Sequence, residues 1–219
     1  MEFDYKSPDY HARRHGDLIE SKRLRKAWGF YSDIAYFQNV KSGQCVLEFG
    51  AGLGNNLLVV KERAIVFAVE PSILGRRIAA EDGIASVEVI EDLGGRKYDF
   101  ILCRHVLEHV EHPKSVLESL AERLNDNGTL ILVLPLDPLT QRPVEPDINQ
   151  HLYCWNPRTI TNLLRRCGLA RTNYRYEAYG AKRKLLFVFD TLGGVTYAKC
   201  VRQIGRLFRF RELVMECQK

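Results

Sequence analysis

The chain has 219 residues, 46% of them apolar and 27% charged. That balance excludes collagen-like, low-complexity and disordered classes, and the length suits one domain with extensions or two small ones. The net charge of +5 is unevenly spread: eight basic residues accompany six acidic ones up to residue 43, ten accompany seventeen over 44–150, and fourteen accompany four beyond 150. Such a split bears on partners and solubility, not on the fold. No apolar run approaches the ~20 residues of a membrane-spanning helix. The first ten residues have neither the basic nor the apolar part of a secretory signal, so the expected location is cytoplasmic. Six scattered cysteines with no C-x-x-C pair encode neither a zinc ribbon nor a redox motif.

Residues 8–40 carry Leu18, Leu24, Trp28, Tyr31, Ile34 and Phe37 as an apolar stripe at helical spacing, with Ser21 or Asp17 as N-cap. They are expected to form a helical cap or lid over residues 1–42, ahead of a main domain over 43–219. The period then changes. Residues 45–50, 65–70, 86–90, 98–103 and 129–135 are short runs rich in Val, Ile, Leu and Phe, separated by helical lengths over 54–62, 72–82 and 113–124. Near-continuous apolar strands alternating with helices predict an α/β chain with a mostly parallel sheet, covered by helices on both faces. Pro113 suits a first helical turn, and Asn127-Gly128 a turn into the fifth strand. A helix over 158–166, a stop at Gly168, an aromatic strand over 171–178, a basic segment to about 209 and a last strand over 212–218 complete the reading.

The first strand runs into Glu48-Phe49-Gly50-Ala51-Gly52-Leu53-Gly54-Asn55. Glycines at a strand-to-helix turn admit positive φ and let a ligand approach the backbone. Two nucleotide-cofactor readings compete. A dinucleotide fingerprint wants Gly or Ala at position 55, which is Asn55. Glu48, two residues before the first glycine, instead suits a counter-charge for the amino group of a methionine-derived cofactor.

These residues resemble a known family, the class I S-adenosylmethionine-dependent methyltransferases of the small-molecule type, over roughly residues 44–170. VLEFGAGLG (46–54) is similar to its first motif, VEP (69–71) to its second-strand acid, VIEDL (89–93) to its adenine-contacting turn, and YDFILCRHVLEHVEHP (98–113) to its fourth-strand motif. RLNDNGTLILVLP (123–135) and HLYCWNPRTITNLLRRCGL (151–169) resemble its later segments, with a departure at Asp126-Asn127. The resemblance implies a Rossmann-like sheet, S-adenosyl-L-methionine as cofactor, and methyl transfer to a small molecule, oxygen being the expected acceptor atom. It assigns cofactor binding to Glu48, Gly50, Gly52, Gly54, Glu70, Asp92, Leu93 and His105. Glu70 stands where a carboxylate accepts both ribose hydroxyls, Asp92 where the adenine amine is met, Leu93 over the ring, and His105 near the methionine end.

The string H-V-L-E-H over 105–109 also matches the inverted zincin pattern, with His105 and His109 at i, i+4. L-E-H at this place is common in the methyltransferase family, and no metal is expected. If the acceptor must lose a proton, His109 and His151 are the candidate catalytic bases, with Tyr153 as an orienting group. Tyr10, Arg13 and Arg14 could meet the methionine carboxylate or an anionic substrate. The tail alternates Lys199, Arg202, Arg206, Arg209 and Arg211 with Val201, Ile204, Leu207 and Phe208. It reads as a core-packed helix with a solvated basic face, as an amphipathic helix on an anionic membrane suited to a lipid-linked substrate, or as a nucleic-acid stripe. No RNA-binding module accompanies it, so nucleic acid is not the expected partner. Two rival functions stand beside methyl transfer: a nicotinamide-binding oxidoreductase, and a catalytically silent relative that binds the cofactor or a partner.

Overall fold

The computed structural model describes residues 16–137, 147 and 149–219. Helix α1, Lys22–Tyr36, starts where Ser21 is extended and its side chain accepts from the Leu24 N–H at 3.2 Å. Its apolar stripe is not a detachable lid. Ala27, Tyr31, Ala35 and Tyr36 are buried in the same core as the sheet residues Val46, Ile131 and Val214, so the expected cap is built into the main body. Tyr10, Arg13 and Arg14 lie outside the described residues.

The strands are β1 Cys45–Phe49, β2 Ile65–Val69, β3 Ala85–Val87, β4 Tyr98–Arg104, β5 Leu124–Pro135, β6 Ala170–Ala178 and β7 Arg211–Gln218. They form one sheet in the order β3-β2-β1-β4-β5-β7-β6, in which only β7 runs against its neighbours. Helices α2 Leu57–Val60, α3 Ile73–Glu81, α4 Pro113–Glu122, α5 Pro157–Arg166 and α6 Leu186–Leu207 connect them. Adjacent strand residues point to opposite faces. Val46 and Val214 accordingly enter the core under α1, α2 and α6, whereas Leu47 and Leu213 enter the one under α4 and α5 with Leu117, Leu120, Ile160 and Leu164. Both faces being buried explains why the strands read as continuous apolar runs.

Three elements differ from the sequence reading, the first being β5: it starts at Leu124, and Asn127-Gly128, expected as a turn, lie within it where the register with β4 shifts. The third strand stops at Val87, because Glu88 is exposed and pairs with Arg76 at 3.1 Å while the chain tightens into a 3₁₀ turn, Ile90–Leu93, that buries Ile90. The basic tail helix starts at Leu186 and bends at Gly193 (φ 81°, ψ 172°). That bend returns α6 to the edge where β6 ends; a Cβ on Gly205 would stand 2.4 Å from Tyr179 N. The last strand therefore starts at that edge and runs opposite to the rest.

Candidate functional site

After β1 the chain turns at Gly50 (φ 75°), whose N–H, with that of Ala51, donates to the Val69 carbonyl at 2.8 and 3.1 Å. A Cβ at Gly50 would meet Val106 at 2.3 Å, so the loop passes too close to the β4 extension for any side chain. Gly52 (φ 56°) is the opposite case: nothing lies within 4 Å of where its Cβ would be, and the loop is open there to a ligand. Gly54 closes the turn, its N–H donating to the Ala51 carbonyl at 2.9 Å. Glu70, at the end of β2 and 5% exposed, accepts from the Gly52 N–H at 2.6 Å and the Ser72 N–H at 2.8 Å. One carboxylate thus braces the glycine loop and the start of α3, and a carboxylate has lone pairs beyond two for ribose hydroxyls. Asp92 and Leu93 sit on the 3₁₀ turn after β3, and His105 follows β4. The expected cofactor residues therefore gather along the carboxyl ends of β1 to β4, where parallel sheets bind ligands.

Glu48 differs from a simple exposed counter-charge. It is 1% exposed and accepts from the Asn56 side-chain N–H, and Asn56 in turn accepts from the Ser32 hydroxyl at 2.6 Å. Burial pushes its carboxyl up to about 8, and its Oε2 has no hydrogen-bond partner among the described residues. An ammonium brought against that oxygen would restore the carboxylate.

Sequence reading missed a second group of residues. Glu212 on β7 lies opposite Pro135, fully buried. It accepts from Arg104 Nη2 at 3.0 Å and from the Tyr36 hydroxyl, and its Oε2 is 3.1 Å from His105 Nε2. Burial alone would raise its pKa, but Arg104, then the His105 hydrogen bond, outweigh it and hold the carboxyl well below its ordinary range. Burial, and then Arg104, push His105 down to about 4, so its imidazole is neutral near pH 7. His105 is also left-handed (φ 54°), a conformation that costs a side-chain-bearing residue about 1–2 kcal/mol. Behind them Lys182 Nζ stands over the rings of Trp28 at 3.9 Å and Tyr31 at 4.2 Å, and burial followed by Arg104 lowers its pKa far below the usual lysine value. The only sequence signal for Glu212 was an acid opening an apolar strand in a basic region.

The histidines separate. Residues 107–109 form a turn, not a helix, so His105 and His109 do not share a helical face: His105 reaches Glu212, while the His109 and His151 rings meet edge-on at 4.9 Å. His151 Nδ1 is 2.6 Å from Asp137 Oδ2, leaving its Nε2 outward from that pair. Tyr153, expected to orient a substrate, donates instead to the Glu111 carbonyl at 2.9 Å. Glu108 is fully buried, and neither of its carboxylate oxygens has a hydrogen-bond partner among the described residues; burial pushes it up to about 7. Ligand atoms of Glu108, His109 and His151 lie within 4.8 Å of one another, close enough to share one divalent cation.

The basic tail is not an amphipathic surface helix. Tyr197, Ala198 and Val201 are buried, and Arg202 pairs with Glu177 at 2.6 Å. Lys199 and Gln203 lie on the helix's solvated face, and from Arg206 through Arg211 every residue is exposed. A cavity of about 610 Å³, lined by Leu136, Tyr179, Arg209, Phe210 and Arg211, opens at the carboxyl end of β5, beside Glu212.

Residues 19–173 match the model of a family described as a methyltransferase domain. A ubiquinone biosynthesis O-methyltransferase, mitochondrial, of Schizosaccharomyces pombe is 30% identical over 131 residues, 52% of this chain and 45% of that protein. The match therefore spans about half the length of that relative. The name places the relative in mitochondria, which gives the cytoplasmic expectation no support; no helix among the described residues is long and apolar enough to cross a membrane. The fold is similar to that of magnesium protoporphyrin IX methyltransferase from Synechocystis, solved with S-adenosylhomocysteine (TM-score 0.62, 15% identity, 96% of this chain and 97% of that one). It is also similar to a TehB-like S-adenosylmethionine-dependent methyltransferase from Corynebacterium glutamicum (TM-score 0.60, 13% identity, 96% and 97% covered).

Proposed function

The chain belongs to the methyltransferase-domain family and is an S-adenosylmethionine-dependent methyltransferase of class I fold, and from that premise we propose that it methylates an oxygen of a small molecule that is anionic or lipid-linked. That membership sets aside the nicotinamide oxidoreductase. The residues fit the cofactor: the open side of Gly52 gives room for it, and the orphan Oε2 of Glu48 gives its amino group a partner. Gly50, Gly52 and Gly54 would shape the cradle, Glu70 hold the ribose, Asp92 and Leu93 the adenine, and Glu48 and His105 flank the methionine end. S-adenosylmethionine supplies a methyl group on a sulfonium, a good leaving group.

The protein's tasks are then alignment, exclusion of water and removal of one proton. The observation that carries the oxygen reading is the Asp137–His151 pair. Asp137 fixes the imidazole so that Nδ1 is engaged, and Nε2 takes the acceptor's hydroxyl proton as that oxygen forms its bond to the methyl carbon. His109, against the His151 ring, limits its rotation. The fission-yeast relative is named an O-methyltransferase, which agrees with this. The excess of basic residues beyond 150 and the two arginines of the cavity support an anionic acceptor. Incubation of the protein with methyl-labelled cofactor and a metabolite extract tests the reading. Wild type should label an oxygen, and His151→Ala should slow labelling by about 10² or more while still binding S-adenosylhomocysteine; full labelling by the variant refutes the assignment.

A second reading is favoured by the buried carboxylate of Glu108, which has no hydrogen-bond partner among the described residues and stands 3.9 Å from His109 Nε2. Glu108, His109 and His151 would hold a divalent cation that polarises the acceptor oxygen, with Asp137 orienting His151 through its other nitrogen. Metal analysis of the purified protein, and activity after chelation and re-addition of zinc or magnesium, separate the two.

A further inference from the structure

Helix α6 ends in a way that ordinary capping would avoid. The Arg209 N–H donates to the Arg206 carbonyl at 3.3 Å and the Phe210 N–H to the Gly205 carbonyl at 2.9 Å, the hydrogen-bond pattern of a Schellman cap. The left-handed position of that cap usually belongs to Gly; here it is Arg209, at φ 59°. The residue that would tuck the following side chain onto the helix is Gly205, kept small by the Tyr179 backbone. Phe210 therefore has no helix side chain to cover it and stacks on Phe208, at 6.3 Å and 24° between ring planes. Leu207, Phe208 and Phe210 are 76%, 63% and 55% exposed. Between them Arg206, Arg209 and Arg211 are exposed and make no ion pair among the described residues.

We propose that this turn, Arg206–Arg211, seats the protein on an anionic lipid bilayer. Leu207 and the two rings would enter the boundary between headgroups and acyl chains, and the three guanidinium groups would meet lipid phosphates. Interleaved charge and apolar surface is what such a boundary requires, and the aliphatic Leu207 suits acyl chains better than nucleic-acid bases. The cavity beside Glu212 shares Arg209, Phe210 and Arg211 with the turn, so its mouth opens where the bilayer would lie. This deepens the methyl-transfer reading by giving a lipid-linked acceptor its route. Docking itself is measurable without turnover.

The test is sedimentation of the full chain with phosphatidylcholine vesicles, with and without phosphatidylglycerol. Binding should be roughly 100-fold stronger to the anionic vesicles and weaken with salt, as three arginines imply. Phe208→Ser with Phe210→Ser should lose about tenfold. Arg209→Gly is the sharper variant: it restores the usual cap residue, so the melting temperature should rise while vesicle affinity falls about fivefold. Wild-type protein that ignores anionic vesicles, variants that bind them unchanged, or binding to a single-stranded oligonucleotide in place of vesicles would each overturn the proposal. S-adenosylhomocysteine affinity, measured in parallel, keeps such a failure distinct from failure of the methyltransferase site.

Discussion

Replacing Glu48 by Gln should make the ligand-free protein more stable and its cofactor binding weaker. Burial raises the Glu48 carboxyl from 4.5 to about 8 in the fold. Between those values the folded chain holds a proton that the unfolded chain has released, so stability falls as pH rises, by about 1.4 kcal/mol per pH unit. At pH 7 the loss is roughly 3 kcal/mol, an upper figure because a compact unfolded state shields the group as well. Gln keeps the acceptor for the Asn56 side chain and does not titrate. The variant should melt within a degree or so of wild type at pH 4.5 and roughly 6–12 °C above it at pH 7, at 2–4 °C per kcal/mol for a chain of this length. Binding shows the converse. If the cofactor's ammonium meets Oε2, association draws the proton off Glu48. Wild-type affinity should then rise with pH up to about 8, and calorimetry in buffers of different ionisation heats should register proton release that the variant lacks. A difference in melting temperature that does not grow between pH 4.5 and 7 refutes the buried-acid argument. Absent proton release with intact cofactor binding refutes the role given to Glu48.

Three further substitutions probe the site. Glu70→Ala removes the acceptor of the Gly52 and Ser72 N–H groups as well as the proposed ribose ligand; S-adenosylhomocysteine affinity by calorimetry should fall roughly 30-fold or more, with about 1–3 kcal/mol of stability lost. His151→Ala should lower kcat by about 10²–10⁴ with cofactor affinity unchanged, and Asp137→Asn by less, read in a methyl-transfer assay once an acceptor is identified. Glu212→Gln leaves the Arg104 charge buried without its carboxylate and should cost about 3–5 kcal/mol in chemical denaturation. Because the fold depresses the Glu212 carboxyl, its stabilisation is complete above its ordinary 4.5 and fades as pH falls below that; the variant should lack this acid-sensitive part.

What was legible in the sequence was local. β1, β2 and β4 read as apolar runs because both faces of each are buried, and Pro113 and Pro157 mark helix starts because a residue with no N–H leaves no donor unpaired there. The glycine loop, Glu70 and Asp92 are legible because each follows directly on its own apolar run: the loop on β1, Glu70 on β2, and Asp92 on the turn after β3. The Tyr36–Arg104–Glu212 group is not, because it depends on the pairing of Pro135 with Glu212 across a strand that runs the other way. That direction follows from the bend at Gly193, which composition does not announce. The i, i+4 pairing of His105 and His109 failed for a local reason: no helix forms until Pro113, and the turn over 107–109 sends the two rings to different partners.

The position of β7 constrains how the molecule is made. It follows all the other described strands in sequence, yet it lies inside the sheet, between β5 and β6. Until residues 211–218 have been synthesised, β5 has an open edge, β6 has no place to dock, and Arg104 and His105 lack their carboxylate. A growing chain can assemble the glycine loop and β1 to β4 early, but the Tyr36–Arg104–Glu212 group is completed only by β7. An exposed β5 edge in that interval invites pairing with another chain, so slow delivery of the tail should show itself as aggregation before it shows as lost cofactor binding.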